Sequence, residues 1–208
     1  MGDSKRTKIL NAAIKVFAEK GYQYATIAEI AREAGISTGL VYSYFENKLD
    51  LLLSLNLRFF QMVNVINHKK LSHIADPVEK LFAVFRTYHE ILLHDKKSLY
   101  WGTIIKEGFP QPHTVKSKKL KQKQVKIYEE NKQLLKTIDD IIAEGQRRGK
   151  IDALLKPQLL RQIFGGTSQI LFNGLFLQDY RKEEIGYDKE DIPKAMTALL
   201  EKFATRSS

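Results

Sequence analysis

Ile9, Ala12, Ala13, Val16 and Phe17 recur at i, i+3, i+4, i+7 and i+8, the apolar stripe of an amphipathic helix. Gly21 follows as its C-terminal glycine. "TIAE" then sets Thr26 as an N-cap with Glu29 three residues on, a capping box. Ile27, Ile30, Ala31 and Ala34 give this second helix its buried face, and Gly35 ends it. Ser37 caps a short third helix over 38–44. Asn47 caps a fourth, with Asp50 near the positive end of its dipole. Leu49, Leu52, Leu53, Phe60 and Val63 carry that helix to a break near 70–76. Pro77 opens the next, which bears Leu81, Phe82, Phe85, Tyr88, His89 and Leu92. A short helix at 99–107 and the loop "GFPQPH" at 108–113 precede a long helix over 115–148. Pro157 starts another, to 179, and Ile192, Ala195, Met196, Leu199 and Phe203 mark the last. No segment reads as a strand. The pattern predicts an all-α chain: a three-helix helix-turn-helix domain over 1–47 and a larger helical domain over 48–208.

Two helices, a tight turn at Gly35 and a short third helix form a helix-turn-helix, which presents its second helix to the DNA major groove. At about 100° per residue, Val41 and Phe45 point one way and Gly39, Tyr42 and Ser43 the other, with Thr38 and Leu40 flanking. The inward pair anchors the helix. The outward set suits a groove: hydroxyls bond phosphates or base edges, Gly39 permits close approach, and Leu40 or a Tyr ring meets a thymine methyl. Lys48, in the first turn of the fourth helix, can reach a phosphate, with that helix's amides adding to the attraction. Packing of Tyr42 and Tyr44 between helices is the other use for these rings.

"ILNAAIKVFAEKGY", "TIAEIAREAGISTGLVYSYF" and "NKLDLL", in this order over residues 8–55, resemble the tetracycline-repressor (TetR) family of bacterial regulators. The resemblance implies DNA contacts at Thr26, Ser37, Thr38, Gly39, Tyr42, Tyr44 and Lys48. Position 44 is His in many members and Tyr here, which keeps a phosphate contact but alters the preferred DNA geometry. Beyond residue 60 it implies a helical effector-binding and dimerisation domain. "IIAEGQRRGKID" followed by "FGGT" is similar to the acyl-CoA-responsive branch. The implied protein is a cytoplasmic homodimer that represses by binding a palindromic double-stranded operator and is released by a small apolar or acyl-CoA-like effector.

The net charge of +10 fits an anionic partner, but residues 1–50 hold seven Lys or Arg against six acids. Most of the excess lies elsewhere, notably in "KSKKLKQKQVK" at 116–126, either a solvated face or an anion collar at a pocket mouth. There is no cysteine, so thiolate chemistry is excluded. No apolar run reaches the length of a bilayer span, and "MGDSKRTK" lacks the apolar core of a signal peptide. His68 and His73, like His89 and His94, lie five apart rather than the i, i+4 of a helical zinc pair, so no metal is expected. "FGGTS" is neither a Walker loop nor a dinucleotide fingerprint, and the carboxylates form no catalytic set. Neither cofactor nor enzymatic activity is expected.

The helix opened by Pro157 is apolar nearly all round, and such a helix is buried all round. Ile163, Gly166, Ile170, Gly174 and Leu177 are expected to form a dimer seam, completed by Met196, Leu199 and Phe203 of the last helix. Packing within one chain is the alternative. Phe85, Tyr88, Trp101, Ile104, Ile105 and Phe109, with Tyr128, Phe172 and Phe176, exceed what a simple bundle needs. With His89, Gln169 and Asn173 as polar groups they are expected to line an apolar effector pocket, a fatty acyl-CoA being the leading candidate. Their other use is as core. Two further functions compete: an enzyme or small-molecule carrier with an incidental helix-turn-helix, and a DNA-binding protein without an effector.

Overall fold

The computed structural model describes residues 2–93, 115–181 and 184–204, with backbone alone at 2–3 and 176–181. Eight helices are described: α1 Gly2–Tyr24, α2 Ile27–Glu33, α3 Thr38–Tyr44, α4 Lys48–Leu71, α5 Pro77–Leu93, α6 Lys118–Arg147, α7 Pro157–Arg181 and α8 Asp191–Phe203. The expected helix at 99–107 and the "GFPQPH" loop lie outside the described residues. No strand occurs among the described residues; one isolated bridge pairs Ile151 with Ala204.

The chain groups into two compact units, Met1–Gln61 with Asp95–Glu130, and Met62–His94 with Asn131–Ser208. In the first, α1 packs on α2 and α2 on α3. Ile9, Ala13, Phe17, Ile30, Val41 and Phe45 are all at most 2% exposed. Gly21 breaks the regular helix as expected, at φ 77 and ψ 152. The chain nevertheless turns on to Tyr24, with Ala25 N–H donating to the Gly21 carbonyl at 3.2 Å. Lys48 explains the extra turn: its ammonium donates to the carbonyls of Gln23 and Ala25, each at 2.9 Å.

In the second unit α8 packs on both α5 and α7. Asp76 caps α5 by accepting from the Val78 N–H at 2.8 Å and the Glu79 N–H at 3.2 Å, and pairs with Lys150. After α6 the chain returns so that the Asp152 N–H donates to the Phe203 carbonyl at 2.9 Å.

One sequence expectation needs correction. α4, at 24 residues, is long and apolar enough by length and composition to cross a membrane. The average hides its pattern. Asp50, Ser54 and Asn56 are all buried along it and hydrogen-bonded, polar groups that a core helix can pair and a lipid-facing one cannot.

His89 is 3% exposed and hydrogen-bonds Ser168 Oγ through Nε2 at 2.7 Å. Burial lowers its pKa from 6.5 to about 4. The folded state thus keeps His89 neutral where the unfolded chain already binds a proton. Its contribution to stability is full above the unfolded pKa of 6.5 and is lost as pH falls toward 4. A shift of this size is worth about 3 kcal/mol. His89→Gln keeps a bond to Ser168 and removes the titration. Urea melts of both proteins between about pH 7 and pH 4.5 are expected to show a shallower loss of stability in the variant.

Candidate functional site

Local chemistry builds the helix-turn-helix. At the start of α2 the Thr26 hydroxyl accepts from the Glu29 N–H at 3.2 Å, and the Glu29 carboxylate accepts from the Thr26 N–H at 3.0 Å. Glu29 also pairs with Lys20; the Lys20 and Thr26 hydrogen bonds together lower its pKa to about 2. Ala34 ends α2, and Gly35 at φ 60 takes the left-handed conformation that turns the chain toward α3. The Ile36 N–H then bonds back to the Ala31 carbonyl at 3.0 Å. Ser37 caps α3 through its hydroxyl, which accepts from the Leu40 N–H at 3.2 Å.

α3 divides as its wheel predicts. Val41 and Phe45 are at most 1% exposed and hold the helix down, with Arg6 lying over the Phe45 ring at 5.3 Å. Thr38, Gly39, Tyr42 and Ser43 are exposed, Tyr42 at 57%, while Leu40 and Tyr44 are half-buried. Ser37 and Thr26 lie exposed at the starts of their helices, on hydroxyls already committed to capping. Ser43 spends its proton on the Leu40 carbonyl at 2.8 Å and so faces outward as an acceptor. Lys48 is half-buried; two of its three donors serve the Gln23 and Ala25 carbonyls and it sits 4.7 Å from the Tyr22 ring centroid. The two carbonyl bonds use two of the ammonium's three N–H groups and fix its position. Tyr24, two residues before Thr26, is 83% exposed and was not singled out from the sequence.

α4 is tied down from an unexpected side. Asp50 is fully buried and accepts from the Glu46 N–H at 3.0 Å, while its own N–H donates to the Asn47 side chain at 3.0 Å. Lys123 of α6 ion-pairs with Asp50 and donates to Ser54 Oγ at 2.7 Å; Lys119 lies 3.6 Å from the same carboxylate. Burial works to raise the Asp50 pKa, but the Lys123 and Glu46 bonds hold the carboxyl below its ordinary range. The lysine run therefore has two faces. Lys116, Lys118, Lys121 and Lys126 are exposed, whereas Lys123 is half-buried.

Of the expected effector lining, α5 and α7 bring together Phe85, Tyr88, His89 and Phe172. The His89 and Phe172 centroids are 5.6 Å apart, those of Tyr88 and Phe172 6.0 Å. Phe85 also packs on Phe164, the rings tilted by 60° with centroids 5.5 Å apart. Ser168 is the member that periodicity missed, a small polar residue on an apolar helix. Gln169 donates to Asn173 at 3.1 Å one turn along, so the two amides satisfy each other in part. Trp101, Ile104, Ile105 and Phe109 lie outside the described residues, as does the Phe176 side chain. Tyr128 is corrected: it is 62% exposed, because its position on α6 faces away from the buried Ile127 stripe.

The expected seam is partly open in one protomer. Ile163 is half-buried, Ile170 is 71% exposed, and a side chain built at Gly166 would meet nothing within 4 Å. Two members are corrected. Met196 is 1% exposed within its own chain, on the inner stripe of α8. Gly174 is small because Tyr187 of the same chain occupies the space, its hydroxyl donating to the Leu171 carbonyl at 2.8 Å. Leu199 and Phe203 are half-buried, and Phe203 packs on Phe164 at 5.5 Å between centroids. The Leu177 side chain lies outside the described residues.

Residues 9–55 match the family model described as "Bacterial regulatory proteins, tetR family", and residues 55–183 that described as "YsiA-like protein, C-terminal region". The chain is 30% identical to the fatty acid metabolism regulator protein of Bacillus subtilis (strain 168), over 78% of this chain and 79% of that protein. The fatty acid degradation regulator FadR from Bacillus halodurans superposes with a TM-score of 0.75 at 28% identity, covering 94% of each chain. FadR from Bacillus subtilis in complex with stearoyl-CoA does so with a TM-score of 0.71 at 27% identity, covering 93% of this chain and 96% of the other.

Proposed function

The chain belongs to the tetR family of bacterial regulatory proteins, and from that premise we propose a dimeric repressor whose hold on an inverted-repeat operator is released by a long-chain acyl-CoA. The DNA-binding, ligand-responsive class rests on the family. The particular reading rests on one observation: α3 carries an exposed polar and aromatic face held rigidly by Val41 and Phe45. The effector class is supported by the likeness, across nearly the whole chain, to a regulator solved with stearoyl-CoA. Regulation is favoured over the enzyme or carrier reading because the similar proteins are named as regulators. The cytoplasm, where the chromosome lies, is the compartment this role requires.

Thr26, Ser37, Thr38, Gly39, Tyr42, Tyr44 and Lys48 make the operator contacts, with Leu40 and Ser43 at the base edges. The open stripe of Ile163, Gly166 and Ile170 on α7 meets its two-fold copy, which sets the distance between recognition helices. The Phe85, Tyr88, His89 and Phe172 cluster receives the acyl chain. Lys123 and Lys119 give the effector-dependent part of the chain a grip on α4, and α4 follows directly from α3. To cause release, the effector must favour the DNA-incompetent arrangement by a few kcal/mol.

Titration of saturated acyl-CoAs of increasing length into a fluorescent operator complex is expected to weaken DNA binding about tenfold or more for long chains and little for acetyl-CoA. If no chain length binds the protein or changes operator affinity, the acyl-CoA reading is lost. Turnover of the acyl-CoA would instead favour an enzyme.

A further inference from the structure

Within the second unit, α4, α5 and α6 border a cleft of about 470 Å³, ample for part of a drug-sized ligand. Leu71, Leu134 and Ile141 supply apolar wall. Its charges balance: Lys80 and Arg147 stand against Asp140 and Glu144, with Lys80 paired to Glu144 at 3.2 Å. Such a lining does not select a polyanion. Uncharged hydrogen-bonding groups make up the rest, among them Asn67, Ser72, Gln133 and Thr137.

Asn67 is the unusual member. It is 3% exposed, and neither its amide nitrogen nor its amide oxygen has a hydrogen-bond partner among the described residues. A buried carboxamide offers donor and acceptor side by side and loses both when left unpaired. A second amide, with the same pair reversed, complements it best. Buried native amides are rarely left so, and a ligand-binding role accounts for keeping one here instead of Leu.

We infer that this cleft binds an uncharged, amide-bearing chain, with Asn67 reading the amide. The amide arm of an acyl thioester of coenzyme A is one source of that chemistry, and a free small amide is the other. The first rests on the acyl-CoA reading above; the second does not.

Calorimetry separates the possibilities with three probes on the full chain. Palmitoyl-pantetheine carries acyl chain and amide arm without phosphates, palmitate carries the chain alone, and pantothenol carries an amide and hydroxyls without the acyl chain. Asn67→Leu is expected to weaken palmitoyl-pantetheine about tenfold and to leave palmitate unchanged. Thr137→Tyr, which fills the cleft from the facing helix, is expected to do the same and guards against a packing effect at position 67. Binding of pantothenol to the parent protein, lost in both variants, assigns the cleft to free amides as well. If the parent protein binds palmitoyl-pantetheine and both variants bind it equally well, the inference is overturned while the acyl-CoA reading stands. If the parent binds neither acyl-CoA nor palmitoyl-pantetheine, that reading falls, and pantothenol alone decides the cleft: no binding of it overturns the inference too.

Discussion

Tyr42→Ala is expected to cut operator affinity by at least about thirtyfold. A lost base-edge or groove contact costs about 1–3 kcal/mol per site, and a two-fold dimer loses two of them. Tyr42 is 57% exposed, whereas the anchors Val41 and Phe45 are buried, so folding and assembly should be spared. Fluorescence anisotropy on DNA from the protein's own promoter region, at fixed salt, measures the first effect. Sedimentation checks the second. Tyr42→Phe separates ring from hydroxyl: retention of affinity would assign the contact to the ring face. The operator should be an inverted repeat, its half-sites at least about 34 Å apart. A Tyr42→Ala variant that binds like the parent protein would remove α3's outward face from the DNA assignment.

Asp50→Ala should be the most damaging single change to the fold. It strands the Lys123 ammonium, 14% exposed, against Ser54 and leaves the Glu46 N–H without its acceptor. Removing one partner of a buried pair costs about 3–5 kcal/mol, a large part of a typical domain's stability. Lys123→Met is expected to cost less, since Lys119 and the backbone donor still serve the carboxylate. The double variant Asp50→Ala with Lys123→Met should recover much of the loss, because no buried charge then remains unpaired. Urea melts at neutral pH give all three values. Additive losses would mean that the two groups do not act as a pair. The sign with pH also follows. Asp50 is held below its ordinary range, so its stabilising effect is present above the unfolded carboxylate pKa and is lost as the solution is acidified through the folded one.

The DNA-facing half of this protein was legible because its determinants are local. A capping box spans four residues, a turn needs one glycine at φ 60, and a seven-residue helix shows its inner face through Val41 and Phe45 alone. Periodicity carries that information without reference to any distant residue. It also placed every described helix of the larger domain, since each one repeats its buried face along its own length. It could not say which faces meet. The lysine run read as solvated or as an anion collar, and its Lys123 instead reaches Asp50 from 73 residues away. His89 read as a polar group for a ligand, and 79 residues on it finds Ser168. Gly174 read as a dimer contact until Tyr187 filled its space, and Met196 read as interface until α8 turned it inward. In each case one sequence permits several partners of suitable size and charge. Only the packing of helices distant along the chain selects among them, because desolvation and hydrogen bonding depend on what is within a few ångströms in space.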